Sequence, residues 1–454
     1  DNSASPNDTI VVIGTRRTDR SVTTSASPVD VISSTELQAQ PAPNVLDAVK
    51  NIVPSFFVAQ NTISDASSFV RSPSLRGLPG DEVLVMLNGK RYNRSALVQV
   101  YSGGDTGLSY GAQSSDISAI PAIAIGNLQI LRDGATAQYG SDAIAGVLNF
   151  GLRSDPGFEA RGSWGTYDKG DGDQRQGSAF AGFKLGDRGF LSIAGEYDDN
   201  LGTSRGNTRP SAAWLATNYP SLAAGIPNYP NGPAQIWGSS PTHGFKLVGN
   251  ASYDVTPNSQ LYIFGNYAYS KTDESFNYRP AITATGLEAF NGTSYFTTSN
   301  GRNGAYNPIY LTPCPAATPS CPAGGYVQDG NTYTAASLYP SGFTPRFVGK
   351  VRQAYGTAGY KGKLDDGFSW DLSGSLAKNT LAMSMYDSLS PSFGPETQTS
   401  FKFGKLTQKE LNLNADLSYP VNLGLYSPLT ISVGGEFRKE TYESTAGDLQ
   451  SYAA

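Results

Sequence analysis

The chain has few of the side chains that most enzyme and metal sites use. Its 454 residues include one histidine, His243, and two cysteines. Charged residues make up only 16% of the chain, against roughly 25% in ordinary soluble domains. A Ser–His–acid site would have to use His243, which opens a predicted strand beside a long loop. We therefore expect that the protein is not an enzyme, and we expect no metal site and no cofactor.

The chain also lacks a long apolar run and a basic cluster. Its most apolar stretch, residues 117–131, is interrupted by Pro121, Gly126 and Asn127. This excludes a transmembrane helix, which needs about 20 apolar residues, but not β-strands, which cross a membrane with about 9–11 residues. The net charge of −5 argues against nucleic acid as a partner. No signal peptide is visible, and we expect that the chain begins after its removal.

Glycine and aromatic residues are abundant instead, with 51 glycines, 26 tyrosines and 20 phenylalanines. From Phe158 onward, apolar and polar residues alternate over long segments, which is the period of β-strands. A soluble β-sandwich would alternate in the same way, so the period does not identify the architecture. We predict about nine strands, near residues 158–167, 174–186, 189–199, 243–256, 258–272, 347–365, 367–381, 400–418 and 428–445.

The connections between these strands distinguish a barrel from a sandwich. Those at 187–188, 256–258 and 365–367 are tight turns, whereas 200–242 and 273–346 are long and rich in Tyr, Asn, Pro and Gly. Long and short connections alternate, so the long ones fall at one end of the sheet. This sorting is typical of an outer-membrane barrel, and a sandwich has no reason to show it.

Two motifs precede the strands. Residues 128–150 read LQILRDGATAQYGSDAIAGVLNF and predict two strands joined by a Gly-rich turn, with glycines at close backbone contacts. Residues 71–91 read RSPSLRGLPGDEVLVMLNGKR and predict a buried strand that ends in an Asn88–Gly89 hairpin turn. Upstream, residues 29–32 predict a short strand, Ser34 a cap for a following turn, and Asn44 the cap of a helix.

Both motifs resemble the plug domain of TonB-dependent outer-membrane transporters, whose signatures read roughly LRDGAxAxYGSxAIAGVIN and xxLRGLxxxxVLVLxNGxR. Residues 8–15, DTIVVIGT, are similar to the TonB box of that family, (D/E)xIVVTG, with Ile13 where Thr is common. From the residues alone, this segment is an edge strand. An extended β-branched segment on a loose tether is suited to capture by strand addition. The resemblance implies that TonB binds these residues: Thr9, Ile10, Val11, Val12 and Ile13.

The resemblance implies an α+β plug domain inside a transmembrane antiparallel β-barrel. The domains would be an N-terminal segment at 1–27, the plug at 28–154 and the first part of the barrel at 155–454. Barrels of this family have about twenty-two strands, of which this chain supplies about nine. Open sheet edges are very costly in lipid. We therefore predict that a second polypeptide supplies the other strands; a truncated chain is the alternative.

The implied function is the import of a scarce nutrient, such as a siderophore, an oligosaccharide or a peptide. The protein would lie in the outer membrane of a Gram-negative bacterium, in contact with outer-membrane lipid, and its N-terminus would be in the periplasm. TonB and its inner-membrane energising complex would drive the import. The alternative is a surface or secreted β-rich binding protein that does not transport its ligand.

The resemblance also implies site residues. Arg76 and Arg132 stand where the family places plug arginines that face barrel glutamates, and Glu436 in ISVGGEFRKE resembles such a glutamate. From residue type alone, these are solvated arginines and an ordinary lumen-facing acid. We expect ligand contacts from the apical loop of the plug, near residues 92–115, and from the long connection at 200–242. The alternative is that aromatic residues in the loops pack against one another or lie at the membrane interface. The candidates are Tyr92, Asn93, Arg94, Tyr101, Tyr110 and Trp237.

The two cysteines stand in one Pro/Gly-rich segment, as CPAATPSC. Cys314 and Cys321 predict a local loop disulfide if the compartment is oxidising. A metal pair is the competing interpretation, but no histidine or further cysteine lies near them in the sequence.

Overall fold

A computed structural model describes residue 13 and residues 29–40, 44–60, 63–101, 107, 109–132, 136–230, 232–280, 289–290, 293–294, 310–314, 326–329, 338–424 and 428–453. They form an α+β domain of residues 29–152, here called the plug, and a nine-stranded antiparallel sheet of residues 157–445, here called the wall. The predicted fold class is confirmed. Among the described residues, no helix is long and apolar enough to cross a membrane.

The plug strands are β1 (Val29–Ser33), β2 (Phe56–Val58), β3 (Pro73–Leu75), β4 (Val83–Leu87), β5 (Lys90–Arg91), β6 (Ile125–Leu131) and β7 (Gly146–Leu152). Five of them form a sheet of order β1-β6-β7-β4-β5, in which β4 and β7 run parallel, and β2 and β3 form a separate two-stranded sheet. The α-helices of the plug are α1 (Ser34–Gln38), α2 (Val45–Ile52) and α3 (Thr136–Tyr139). Short 3-10 helices lie at Gly80–Glu82, Ile117–Ala119, Ala122–Ala124 and Ser141–Ala143.

Local sequence accounts for several of these elements. The Asn44 side chain accepts a hydrogen bond from the Asp47 amide at 3.0 Å and starts α2. Asn88 and Gly89 both have positive φ and form the predicted turn between β4 and β5. Gly146 has φ of 145°, and a Cβ there would clash with the carbonyl of Leu131. The close backbone contact predicted for this motif is therefore present.

The wall is a meander in which each strand pairs with its neighbours in the sequence, apart from two small hairpins inserted between its fifth and sixth strands. Its strands are β8 (Gly157–Gly165), β9 (Gln174–Lys184), β10 (Gly189–Asn200), β11 (Thr242–Thr256), β12 (Ser259–Ser275), β17 (Arg346–Lys363), β18 (Ser369–Tyr386), β19 (Phe401–Val421) and β20 (Leu429–Thr445). The inserted hairpins are β13 (Ala289–Phe290) with β14 (Thr293–Ser294), and β15 (Tyr310–Pro313) with β16 (Tyr326–Asp329). All nine predicted wall strands are confirmed.

The connections sort by end as predicted. Tight turns at 185–188, 257–258 and 364–368 lie at one end of the wall, here called the short-turn end. The connections at 201–241 and 276–345 lie at the other, here called the long-loop end. The connection between β10 and β11 contains helix α4 (Pro210–Asn218). Further 3-10 helices lie at Pro220–Gly225, Pro391–Glu396 and Leu449–Ser451.

The two faces of the wall have opposite character. One face presents exposed apolar side chains, such as Ile263 and Leu376, which are 60% and 67% exposed. The other face buries polar side chains, such as Glu196, Lys246 and Asn250. The apolar core of the plug continues onto this polar face through five wall residues: Phe180, Ala194, Val248, Phe264 and Tyr355. The plug therefore lies against the polar face, and the apolar face points away from the plug.

Candidate functional site at the plug–wall interface

Side chains of the wall bind the plug segment that follows β5. The Tyr92 hydroxyl donates to Asn266 Oδ1 at 3.1 Å, and its ring lies 4.9 Å from that of Tyr355. The Asn93 amide exchanges two hydrogen bonds with Gln353, at 2.5 and 3.2 Å. Tyr92 and Asn93 are 2% and 1% exposed. Both side chains are buried against the wall, and ligand contact by them stays a prediction.

The backbone of the same segment is satisfied by the wall. The amide of Arg94 donates to Glu410 at 2.8 Å, and the amide of Ala96 donates to Asn379 at 2.8 Å. The Tyr442 hydroxyl donates to the carbonyl of Ala96 at 3.1 Å. Buried backbone groups need partners, and three groups of this segment, the amides of Arg94 and Ala96 and the carbonyl of Ala96, find theirs in side chains of β18, β19 and β20. The wall thus fixes the course of this segment.

An ionic cluster joins the plug to β20, with the plug carboxylate of Asp142 at its centre. Asp142 contacts Arg91 at 2.6 Å, Arg94 at 3.0 Å and Arg438 of the wall at 2.8 Å. Arg91 also contacts Glu436 of the wall at 3.3 Å. Two charge pairs therefore cross the interface at this point, and one carboxylate is shared by three guanidinium groups.

Charge determines how Asp142 ionises. Burial opposes its ionisation, but Arg438, Arg94 and Arg91 outweigh burial and lower its pKa. Asp142 is therefore a carboxylate at neutral pH. Removing it would leave three guanidinium groups close together with too little negative charge.

The predicted ionic pairing needs a correction. Glu436 is at the interface as expected, but its contacts are with Arg91 and, within the wall, Asn414. Arg76 donates to the carbonyl of Arg132, and Arg132 pairs with Asp30, all inside the plug. The pairing of Glu436 with Arg76 or Arg132 is therefore wrong in this structure. Arg91 and Asp142 were missed as site residues, although both lie inside the two motifs that resemble the plug family, residues 71–91 and 128–150.

A second anchor lies near the long-loop end of β12. Glu274 is fully buried there, and its carboxylate accepts from the Ser64 amide at 2.5 Å and the Ser68 hydroxyl at 2.6 Å. Beside it, the Phe69 ring packs against Phe347 at 4.9 Å. This anchor holds residues 64–69 of the plug to the wall.

A cavity of about 530 Å³ lies between the plug and the long-loop halves of β9 to β12. Its volume falls within the range of about 300–1,000 Å³ that is usual for small-molecule sites. Of the predicted ligand residues, Arg94 is taken up by the ionic cluster. Tyr110 and Trp237 are 63% and 45% exposed, and Tyr101 is partly exposed. Ligand contact by these three residues stays a prediction.

Other predicted sites lie largely outside the described residues. Of the TonB-box residues only Ile13 is described, and it is fully buried in a cluster with Val29, Leu84 and Val147 on the plug sheet. Cys314 is disulfide-bonded. Cys321 lies outside the described residues, so the pairing of the two stays a prediction. The part of the chain that the structure describes contains no cluster of His, Cys, Asp and Glu suited to a metal ion.

Comparison with known families agrees with this organisation. Residues 21–147 match the family model of the TonB-dependent Receptor Plug Domain. The ferrienterobactin receptor of Escherichia coli K12 is 24% identical over 326 residues, which is 66% of this chain and 42% of that receptor.

Solved structures with the same fold include a mutant of the ferric enterobactin receptor PfeA from Pseudomonas aeruginosa, with a TM-score of 0.54 and 16% identity. The siderophore receptor PirA from Acinetobacter baumannii gives a TM-score of 0.55 and 14% identity. The alignments cover 92% and 94% of this chain and 49% of each receptor. The chain thus spans about half the length of these proteins.

Proposed function

We propose that this chain, which is a TonB-dependent receptor by its plug domain and the fold of its wall, imports a nutrient across the outer membrane of a Gram-negative bacterium. The plug closes the path, and TonB, energised from the inner membrane, displaces it. The observation that carries this proposal is the set of hydrogen bonds and ion pairs that join plug and wall beside their shared apolar contacts. Groups that hydrogen-bond across the interface can bond to water when the plug moves, so they can separate and pair again.

A wholly apolar interface would serve a movable plug less well than one that also contains hydrogen bonds and ion pairs. Separation would expose apolar surface at roughly 25 cal/mol per Å² and would leave adhesive surfaces on both parts. The contacts of Asn93, Arg94, Ala96 and Asp142 with the wall have no such consequence, because each involves a polar or charged partner. We infer that the plug is seated by directional contacts, which set its position and still permit release.

The burial of Ile13 bears on the first step of the proposed import, which is the capture of the TonB box by TonB. TonB would pair with residues 9–13 by strand addition. Such pairing needs Ile13 to leave the apolar cluster in which it is fully buried. Capture of the box by TonB would therefore compete with the docking of Ile13 on the plug sheet.

The edges of the wall bear on the rest of the barrel. Among the described residues, β8 and β20 each pair with one neighbour only. Since unpaired strand edges are very costly in lipid, we propose that further strands pair with both edges.

The role of the box can be tested by binding. The periplasmic domain of TonB should bind the intact receptor in detergent, and deletion of residues 9–13 should abolish binding. Deletion of residues 3–7, of the same length, should leave binding unchanged and serves as the control. Equal binding by both deletion variants would contradict the assignment of the box and would favour a surface binding protein without transport.

A further inference from the structure

The apolar face of the wall, on which Ile263 and Leu376 are exposed, carries cations near the long-loop end. Side chains two residues apart along a strand share a face. By this rule and by the strand register, four lysines and one arginine of β12, β17, β18 and β19 lie together on this face. This basic group consists of Lys271, Lys350, Arg352, Lys378 and Lys409.

Within the basic group, like charges lie directly opposite each other on paired strands. Lys271 is opposite Lys350, and Lys378 is opposite Lys409. Side chains in such positions have Cβ atoms about 4.5–5.5 Å apart, and like charges there destabilise the sheet. An anion held between the lysines would remove this repulsion.

Carboxylates neutralise little of the basic group. Among the described residues, only Lys409 of the group has an ion pair, with Glu443 at 2.6 Å. Asp273, on the same face, is already paired with Arg346 at 2.9 Å. Asp199 lies on β10, with β11 between it and β12. Four cations of the group are therefore left without a carboxylate partner in the part of the chain that the structure describes.

Aromatic rings beside the basic group mark the level of the membrane interface. The centroid of the Phe245 ring lies 5.9 Å from that of Tyr267 and 6.0 Å from that of Tyr269. Tyr269 lies opposite Arg352, and the Arg352 guanidinium is 5.7 Å from the Tyr269 ring centroid. Aromatic side chains form girdles at the interfaces of membrane barrels, where lipid headgroups lie. The basic group therefore lies at headgroup level, on the side of the long loops.

A groove on the apolar face continues from the basic group toward the short-turn end. Its volume is about 760 Å³, and Lys378 and Leu376 both line it. Three glycines on neighbouring strands, Gly249, Gly265 and Gly356, lie opposite one another in register and form its floor. Because glycine has no side chain, the face is lower there than at the flanking leucine. An acyl chain could lie in this groove while its headgroup stays beside Lys378.

We propose that the basic group and the groove bind one lipid molecule with an anionic, phosphate-bearing headgroup. The phosphate lies between the opposed lysines, where Arg352 offers it a fork of donors and each lysine a point charge. One acyl chain of the same lipid lies along the glycine floor. This inference goes beyond the proposed import, since it needs the wall to lie in the membrane but not the plug to move.

The test is lipid retention by the intact receptor in detergent micelles that contain equal amounts of phosphatidylglycerol and phosphatidylcholine. Both probe lipids carry a phosphate, but only phosphatidylglycerol has a net negative headgroup. Native mass spectrometry should show that the receptor retains phosphatidylglycerol in preference. Lys350→Gln combined with Arg352→Gln should lower that retention roughly tenfold, because it removes two cations from the headgroup site.

Lys361→Gln combined with Lys363→Gln is the matched control. Both lysines are exposed and lie on the same strand, but near the short-turn end. This control should retain phosphatidylglycerol as the wild type does. Thermal unfolding in phosphatidylcholine alone tests folding separately. There, Lys350→Gln with Arg352→Gln should have a Tm equal to or above that of the wild type, because the repulsion between Lys271 and Lys350 is gone.

Each other outcome overturns the proposal. Equal retention of the two lipids would refute the recognition of negative charge, and equal loss in the two double variants would refute the placement at the basic group. Displacement of phosphatidylglycerol by inorganic phosphate alone would show a site for the free ion and refute the lipid. A lower Tm of the Lys350 and Arg352 variant in phosphatidylcholine would refute the repulsion argument. Binding of TonB through residues 9–13 is measured separately, so import can stand if the lipid site falls.

Discussion

The plug meets the wall in two different ways. On the bonded side, formed with β17 to β20, residues 93–96 and Asp142 bind the wall through hydrogen bonds and ion pairs. On the open side, formed with the long-loop halves of β9 to β12, a cavity of about 530 Å³ separates the two parts. The plug is thus bonded to β17–β20 along residues 93–96, whereas on the side of β9 to β12 a cavity lies beside the Glu274 anchor.

The difference teaches how one interface can serve both positioning and binding. A buried charge pair adds little net stability over an apolar pair, but losing one partner is costly. Such contacts therefore favour one position of the plug over nearby alternatives. On the open side the Glu274 anchor holds residues 64–69, and a cavity remains beside it.

The strongest test of this asymmetry is Asp142→Asn. The change removes the negative charge shared by Arg91, Arg94 and Arg438, and we expect the seated plug to lose about 3–5 kcal/mol. Hydrogen exchange of the intact receptor should then rise at residues 91–96, and residues 44–52 beside the cavity should change less.

Asp171→Asn is the matched control for that change. Asp171 also pairs with an arginine, Arg205 at 2.6 Å, but in an outer loop. Its substitution should leave exchange at residues 91–96 unaltered. Equal effects of the two variants would remove the special role of the cluster.

A smaller effect is expected from Gln353→Leu. Its amide binds Asn93 and Asn379, so a leucine would leave both partly unsatisfied, at about 1–3 kcal/mol. Exchange should rise at residues 92–96. Gln260→Leu is the control, since Gln260 bonds Asp254 within the wall. A plug that exchanges at the wild-type rate in Gln353→Leu would show that this contact does not seat it.

Acid should affect the contributions of Asp142 and Asp116 to stability with opposite signs. The pKa of Asp142 is lowered from 3.8, so its stabilising contribution is complete above about pH 3.8 and is lost as the pH falls through the folded value. The pKa of Asp116 is raised by burial against opposing contributions from Ser118 and Lys246. Its ionised form is unfavourable, so protonation on acidification should stabilise the folded plug near the cavity.

Hydrogen exchange between pH 7 and pH 4, corrected for intrinsic rates, checks this prediction. Protection at residues 91–96 should hold over that range, and protection near Asp116 should increase as the pH falls. In Asp116→Asn the increase should disappear. Loss of protection near Asp142 already at pH 6 would contradict the sign derived for Asp142.

The smallest effect is expected from Glu443→Gln. Glu443 pairs with Lys409 at 2.6 Å, with both side chains nearly half exposed. Exposed pairs contribute about 0–1 kcal/mol. Plug exchange should therefore match the wild type, and a change as large as that of Asp142→Asn would mean that charges far from the plug also seat it.

Alternation along the sequence predicted most of the wall. The segments 174–186 and 428–445 correspond closely to Gln174–Lys184 and Leu429–Thr445. The segment 367–381 was too short, because β18 continues to Tyr386 in register with its neighbours beyond the apolar alternation. Strand ends depend on pairing across the sheet, which one sequence segment does not contain.

The site was harder to predict than the fold. Glycines and turn residues in the motifs predicted local structure, including the Asn88–Gly89 turn. The cap of α1 was misplaced by one residue, since Ser33 rather than Ser34 accepts from Glu36. Which arginine meets Glu436 depends on where β5 and α3 lie relative to β20, and that geometry selects Arg91. Aromatic and polar side chains such as Tyr92 and Asn93 suit both a ligand site and a plug–wall interface, so residue type alone does not distinguish the two.

The most direct test of the central claim is in vivo labelling of a cysteine placed under the plug. Ser95 is 1% exposed at the bonded side, and Ser95→Cys should react with a membrane-impermeant maleimide only when TonB displaces the plug. Ser204→Cys, in an exposed outer-loop position, should react under all conditions. We predict that labelling of Ser95→Cys requires TonB, an energised inner membrane and residues 9–13. Equal labelling in cells without TonB would contradict a TonB-driven plug.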